Sequence, residues 1–204
     1  GTSAGWNTTG IWKTNGTSTA VTGPVAGNAY ACVFNGTAFG NSTANTRMRN
    51  LYATNSPSFQ TFPGDSLTLY TNTEFRFKRI AAGNVPVCNF PGLDGKPGFI
   101  LDGGVINTGD DGVFIITGRI HVASQSYISS GDNGGGGTLR PNRGFNIAGQ
   151  LSGGAPLVIF QGTTTTPQTI SGTENTFSGP WIVKAGRLVG DAPGSLGTNS
   201  ITLD

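Results

Sequence analysis

The chain has 204 residues, of which only 11% are charged, while glycine alone accounts for 34. An average soluble protein carries roughly 25% charged residues, so solubility here rests on the hydroxyls and amides of Ser, Thr and Asn. Twelve basic and ten acidic residues are scattered along the chain for a formal charge of +2; this excludes the basic footprint of a nucleic-acid binder and any strong attraction to anionic membranes, and it favours a neutral partner. The length suits one domain, 1–204. The Gly, Asn, Ser and Thr bias favours turns and strands over helices.

Residues 1–60 carry sparse apolar positions, namely Trp6, Ile11, Trp12, Val21, Tyr30, Val33 and Phe34. They form either irregular first coils or a cap over one end of a repeating structure. Leu67 to Tyr70 follows as a short strand. In the next segment Phe75 and Phe77 alternate with Arg76 and Lys78, which as a strand places the phenylalanines inward and the cations on a solvated outer face.

The second half repeats a phrase, aromatic-x-aliphatic-x-Gly-x-aliphatic. It occurs as Phe99, Leu101, Gly103, Val105; as Phe114, Ile116, Gly118, Ile120; as Phe145, Ile147, Gly149, Leu151; and, one residue longer, as Trp181, Val183, Gly186, Leu188. The intervals are too irregular for a propeller or a leucine-rich repeat, and they fit a right-handed parallel β-helix, whose turns vary in length while its strands stay in register. At roughly 20 to 30 residues per coil, about seven to nine coils are expected. Leu157 to Phe160, Thr169 to Ile170 and Ile201 to Leu203 supply further strands. A β-sandwich or jelly roll is the competing architecture. The run Gly131 to Gly137 reads as a protruding turn, and it lacks the Lys and Ser or Thr of a phosphate-binding loop.

Cys32 and Cys88 match no metal-ligand spacing and leave two readings open, a pair of buried thiols or one disulfide. No signal peptide or transmembrane run is visible, and the chain starts and stops abruptly, so it is read as a domain cut from a longer exported, extracellular bacterial protein.

The stretch Asn175-x-Phe177-Ser-Gly-x-Trp181-x-Val-x-x-Gly186-x-Leu188, followed by Ser195-Leu-Gly, resembles the autotransporter-associated β-strand repeat. That resemblance implies β-helical architecture and export without a particular activity. The whole chain, a Gly-rich β-helix of about two hundred residues, is similar to the parallel β-helix family of xylan-binding carbohydrate-binding modules attached to bacterial glycoside hydrolases. This second likeness implies a non-catalytic module that keeps a covalently linked hydrolase near plant cell-wall xylan.

Catalysis finds few residues to carry it. A pectin hydrolase of this fold resembles Asn-Thr-Asp, then Asp-Asp, then Gly-His-Gly, then Arg-x-Lys; here only Asn107-Thr-Gly109-Asp110-Asp111 comes near, with Gly109 in place of the first Asp. The sole histidine, His121, lies between Ile120 and Val122 and points outward. Asp94, Asp102, Asp110 and Asp111 are candidate calcium ligands, serving a structural turn rather than a lyase, because no base accompanies them. No other cofactor is indicated. Neutral-sugar binding needs exposed aromatic faces flanked by amides, hydroxyls or carboxylates. Trp6, Trp12, Tyr30, Tyr52, Tyr70 and Tyr127 are the candidate platforms, with Asp110 and Asp111 as polar partners, whereas Trp181 takes the core position of the repeated phrase. The expected function is therefore polysaccharide binding, with an adhesin or passenger segment as the alternative and a polysaccharide lyase or hydrolase third.

Overall fold

The computed structural model describes residues 6, 12–13, 20–21, 23–33, 46–50, 56–79, 83–109, 111–130, 142–160 and 166–204. Among these residues the chain is all-β, and its sheets are parallel apart from one short antiparallel pair. In chain order the strands are β1 (Trp12–Lys13), β2 (Ala20–Val21), β3 (Ala29–Cys32), β4 (Thr46–Arg49), β5 (Ser58–Thr61), β6 (Ser66–Tyr70), β7 (Thr73–Phe77), β8 (Pro86–Phe90), β9 (Phe99–Asp102) and β10 (Val105–Thr108). They continue with β11 (Gly112–Ser124), β12 (Ser126–Ser129), β13 (Arg143–Ile147), β14 (Gln150–Gly153), β15 (Leu157–Phe160), β16 (Gln168–Ile170), β17 (Trp181–Ala185), β18 (Leu188–Gly190) and β19 (Ile201–Leu203).

From β3 onward the strands pair into three parallel ladders. The first holds β3, β6, β9, the second half of β11, and β14. The second holds β4, β7, β10, β12, β15, β17 and β19. The third holds β5, β8, the first half of β11, β13, β16 and β18. The chain visits them in the order first, second, third, and β11 joins the third to the first without a break. The expected strands at 67–70, 157–160, 169–170 and 201–203 all lie within these ladders.

Side chains alternate along each strand, and the inward set forms one core. Leu67, Phe99, Ile120 and Leu151 stack along the first ladder; Met48, Phe75, Ile106, Ile128, Ile159 and Val183 stack along the second. Phenylalanines fill the interior between ladders: Phe90 and Phe99 stack with centroids 4.3 Å apart and planes 10° from parallel, and Phe77 meets Phe145 edge to face at 5.1 Å. No single strand could bury such side chains alone.

The repeated phrase has a different meaning from the one expected. Its glycine is a corner between two strands, and the four copies fall at three different corners. Gly103 turns the chain from the first ladder to the second, Gly118 and Gly149 from the third to the first, and Gly186 from the second to the third. The irregular intervals follow, because equivalent words mark non-equivalent corners. At the third corner the backbones pass so closely that no side chain fits: a Cβ on Gly118 would lie 2.0 Å from the Phe90 carbonyl oxygen, one on Gly149 2.3 Å from that of Gly118, and one on Gly172 2.1 Å from that of Gly149.

Near the C-terminal end, residues 175–199 brace neighbouring strands. Asn175 Oδ1 accepts from Leu151 N at 2.6 Å while its Nδ2 donates to Gly172 O and Ser195 O. Trp181 is fully buried against Phe177, and its Nε1 donates to Leu196 O at 2.8 Å. At the other end the antiparallel β1–β2 pair and Trp6 act as a lid: Trp12 Nε1 donates to Trp6 O, and Trp6 packs on Phe62, Phe75 and Phe90. Of the described residues up to 60, then, Trp6, β1 and β2 cap and β3, β4 and β5 begin the ladders.

Cys32 and Cys88 are free and buried. Burial pushes the Cys32 thiol up to about 12 and that of Cys88 well above the ordinary value of 9.0, since a thiolate cannot be solvated there.

Two predictions follow from this packing. Gly149→Ala is expected to destabilise the domain by about 2–4 kcal/mol in urea unfolding, because backbone must shift to admit the methyl group. Gly154→Ala, where the nearest atom is the Ser178 hydroxyl at 3.5 Å, is expected to be near neutral. The two thiols should react with a thiol reagent at pH 8 only after unfolding. Because the folded pKa values are raised, the thiols' contribution is complete below pH 9 and is lost as pH rises from about 9 towards 12, at about 1.4 kcal/mol per pH unit for each thiol; urea midpoints measured at pH 8 and 10.5 should show a decline that Cys32→Ala reduces.

Candidate functional site

The outward positions of the three ladders differ sharply. On the second ladder the strand Thr73–Phe77 sends Phe75 and Phe77 into the core and Glu74 and Arg76 outward, as alternation requires. That outer face is not solvated, contrary to expectation: Glu74 and Asn107 are fully buried and Arg76 is 9% exposed. Arg76 Nε bonds and ion-pairs with Glu74 Oε1, and Asn107 Nδ2, one strand away, donates to the same oxygen at 3.0 Å. Burial makes the pairing obligatory, since an isolated charge here would lack solvation. Lys78 Nζ donates to Gly109 O at 3.0 Å beyond the strand end. This enclosed layer ties β7 to β10 at the outer face of the second ladder.

The corner between the first and second ladders is open. Tyr70 ends β6 and is 42% exposed. The parallel register places Asp102 opposite Tyr70, and a one-residue slip between Val122 and Ser124 brings Ser124 opposite Asp102. Adjacent strands lie about 4.8 Å apart, so the three side chains form a short row. Ser124 Oγ donates to Asp102 Oδ1 at 2.5 Å, and the buried Ser126 hydroxyl donates to Ser124 O and accepts from Gly103 N at 3.0 Å. Tyr127, half-buried on β12, accepts at its hydroxyl from Gln125 Nε2 at 2.8 Å. An exposed ring, a carboxylate already oriented by a hydroxyl, and a tethered amide thus share one edge of the fold. Such groups suit sugar hydroxyls and the apolar face of a pyranose.

The other candidate aromatics fall elsewhere. Trp6 and Trp12 are buried in the core, where neither indole has a free face for a sugar. Tyr30 packs against Trp12 with centroids 4.9 Å apart and receives Val25 N at its hydroxyl, so it serves the lid. Tyr52 and Asp110 lie outside the described residues, as do the glycine run 131–137 and Arg140. Asp111 binds Arg143 Nε at 3.2 Å at the corner between the second and third ladders, apart from the Tyr70 row. Asp94 occupies a tight turn with φ of 49°, closed by Lys96 N donating to Leu93 O. The described aspartates among the calcium candidates, Asp94, Asp102 and Asp111, therefore serve separate turns, and among the described residues no three His, Cys, Asp or Glu side chains converge. His121, outward as expected and half-buried, contacts Ser152 Oγ through Nδ1 at 3.1 Å.

Ser124, Gln125 and Ser126 escaped the sequence reading, and so did Phe59, an exposed aromatic on β5. Nothing in their local sequence marks them, because strands far apart in the chain assemble the row. No family model, curated protein or solved structure matches this chain.

The enclosed layer yields its own prediction. Glu74→Ala removes the buried carboxylate to which Arg76 and Asn107 both donate and is expected to cost about 3–5 kcal/mol in chemical unfolding, whereas truncating the exposed Lys184–Asp204 pair should leave the unfolding midpoint nearly unchanged.

Proposed function

We propose that the chain is a right-handed parallel β-helix acting as a non-catalytic, secreted carbohydrate-binding module. It holds an extended plant cell-wall polysaccharide, xylan foremost, and keeps an appended bacterial glycoside hydrolase close to it. The solenoid reading draws support from the fixed rotation of the chain among three parallel ladders, and its hand follows from the strong right-handed preference of parallel crossovers. The binding reading rests on one observation, the open row of Tyr70, Asp102 and Ser124 beside the Gln125–Tyr127 pair. Tyr70 supplies a stacking face, and Asp102 and Gln125 supply hydrogen bonds to sugar hydroxyls. A single oriented carboxylate in this row gives binding without the paired acid and base that glycoside hydrolysis employs.

A second reading, a structural segment of an exported passenger, draws on β19. Leu203 and Ile201 occupy the positions of the core-facing Val183 and Trp181 beneath them, yet Leu203 is 81% exposed. A stacked architecture of this kind extends by adding strands.

Affinity electrophoresis in gels containing xylan, mixed-linkage glucan or polygalacturonate, with reducing-sugar release assayed alongside, separates these readings. Retardation by xylan without sugar release is expected, and Tyr70→Ala should weaken it at least about fivefold through loss of ring stacking. Unaltered migration in every gel would overturn the binding reading in favour of the passenger segment, and sugar release would overturn its non-catalytic character.

A further inference from the structure

The outer face of the third ladder carries a second pattern. Its outward positions run from Phe59 on β5 through Asn89, Val113, Ile115 and Thr117 to Asn146 on β13, and then Thr169 and Val189. None of the outward side chains described on this ladder is charged. That uncharged character contrasts with the first ladder, where Asp102, Arg119 and His121 point outward, and with the second, where Glu74 and Arg76 do.

Two asparagines on this face are held in the same way. Thr117 Oγ1 donates to Asn89 Oδ1 at 3.1 Å, and Ser171 Oγ donates to Asn146 Oδ1 at 2.7 Å. Each hydroxyl fixes the amide through its oxygen, which leaves the Nδ2 hydrogens of both half-buried amides without an acceptor among the described residues. On β11, the strand between the two asparagines, Thr117 lies level with Asn89 and the half-buried Ile115 level with Asn146, and Val113, 38% exposed, lies two residues before Ile115. Phe59, 72% exposed, stands at one end of the face, separated from Ile115 by the buried Val87.

We infer that this face binds a neutral, extended polysaccharide as a second contact surface, with Asn89 and Asn146 donating to sugar oxygens and Val113 and Ile115 lying against the apolar faces of the rings. The absence of charge selects an uncharged ligand. The two fixed donors lie two strands apart and two residues out of register, roughly 12 Å from one another at ordinary strand spacing, so a single ligand meets both only if it is extended. Apolar Val113 and Ile115 beside the donor amides select a chain with an apolar face and hydroxylated edges, which an extended pyranose polymer presents and a carboxylated one disrupts. This inference rests on the polysaccharide reading but not on the Tyr70 corner, which lies on other ladders.

The test substitutes both amides isosterically, as Asn89→Asp with Asn146→Asp, so that shape and acceptor oxygens persist while the donors are lost. Wild type, this double variant and Tyr70→Ala are run in gels containing mixed-linkage glucan, xylan or polygalacturonate, after their thermal midpoints have been compared. Where the double variant unfolds early, Phe59→Ala, which alters only an exposed ring, replaces it. The double variant is expected to lose about tenfold in apparent affinity for the neutral polymers, the effect of two hydrogen bonds, with a lesser loss for Phe59→Ala. Wild-type migration by both third-ladder variants, with retardation abolished by Tyr70→Ala, would overturn the inference and leave the corner reading intact. Retardation of wild type by polygalacturonate alone would overturn the neutral specificity, and no retardation in any gel would overturn both readings together.

Discussion

Backbones pass within contact of one another where the third ladder turns into the first. There Gly118, Gly149 and Gly172 stack so that each backbone sits against the carbonyl beneath it, with no room for a Cβ. Parallel strands need evenly spaced slanted hydrogen bonds, and that spacing survives a bend only where adjacent backbones remain in contact through it. The glycine column meets this demand. β11 shows the result, since it runs through the corner as one strand of 13 residues and serves two ladders.

Given that corner, the interior follows from alternation. Every second side chain enters a common core, and the aromatic rings between ladders fill the width that aliphatic stacks alone leave open. The ends behave differently. Trp6, Trp12 and Tyr30 close one end with a short antiparallel pair, so the largest aromatic surfaces near the start of the chain are spent on shielding the core. The outer face of the second ladder is held by a buried charge pair and an amide. Such a layer confers little net stability because desolvation offsets the attraction, yet it ties Asn107 of β10 to Glu74 of β7 in a defined register.

Two of the surfaces among the described residues are the open corner with Tyr70 and the uncharged face of the third ladder. Both consist of side chains contributed by successive strands, so a ligand must itself be extended to touch several. Under the proposed function this geometry favours a regular polymer over a compact small molecule. Asp102 and Asp111 lie at different corners, each committed to its own partner, Ser124 in one case and Arg143 in the other.

The sequence by itself determined that the chain is all-β, that Phe75, Phe77, Phe99, Leu101, Phe145 and Trp181 lie inside, and that His121 points outward. These properties follow from two-residue alternation and from composition, both of which are local. It also marked the important glycines, but as one repeated phrase, because a strand–glycine–strand word looks the same at every corner. Only the tertiary structure decided which corner each glycine serves, that Arg76 is buried against Glu74, and that Trp6 and Trp12 belong to a lid while Tyr70 stays exposed. Alternation says whether a side chain points outward, but exposure depends on what another part of the chain lays over it. The Tyr70 row and the Asn89 and Asn146 face depend on parallel register between residues 22 to 32 positions apart, a relation no local pattern carries.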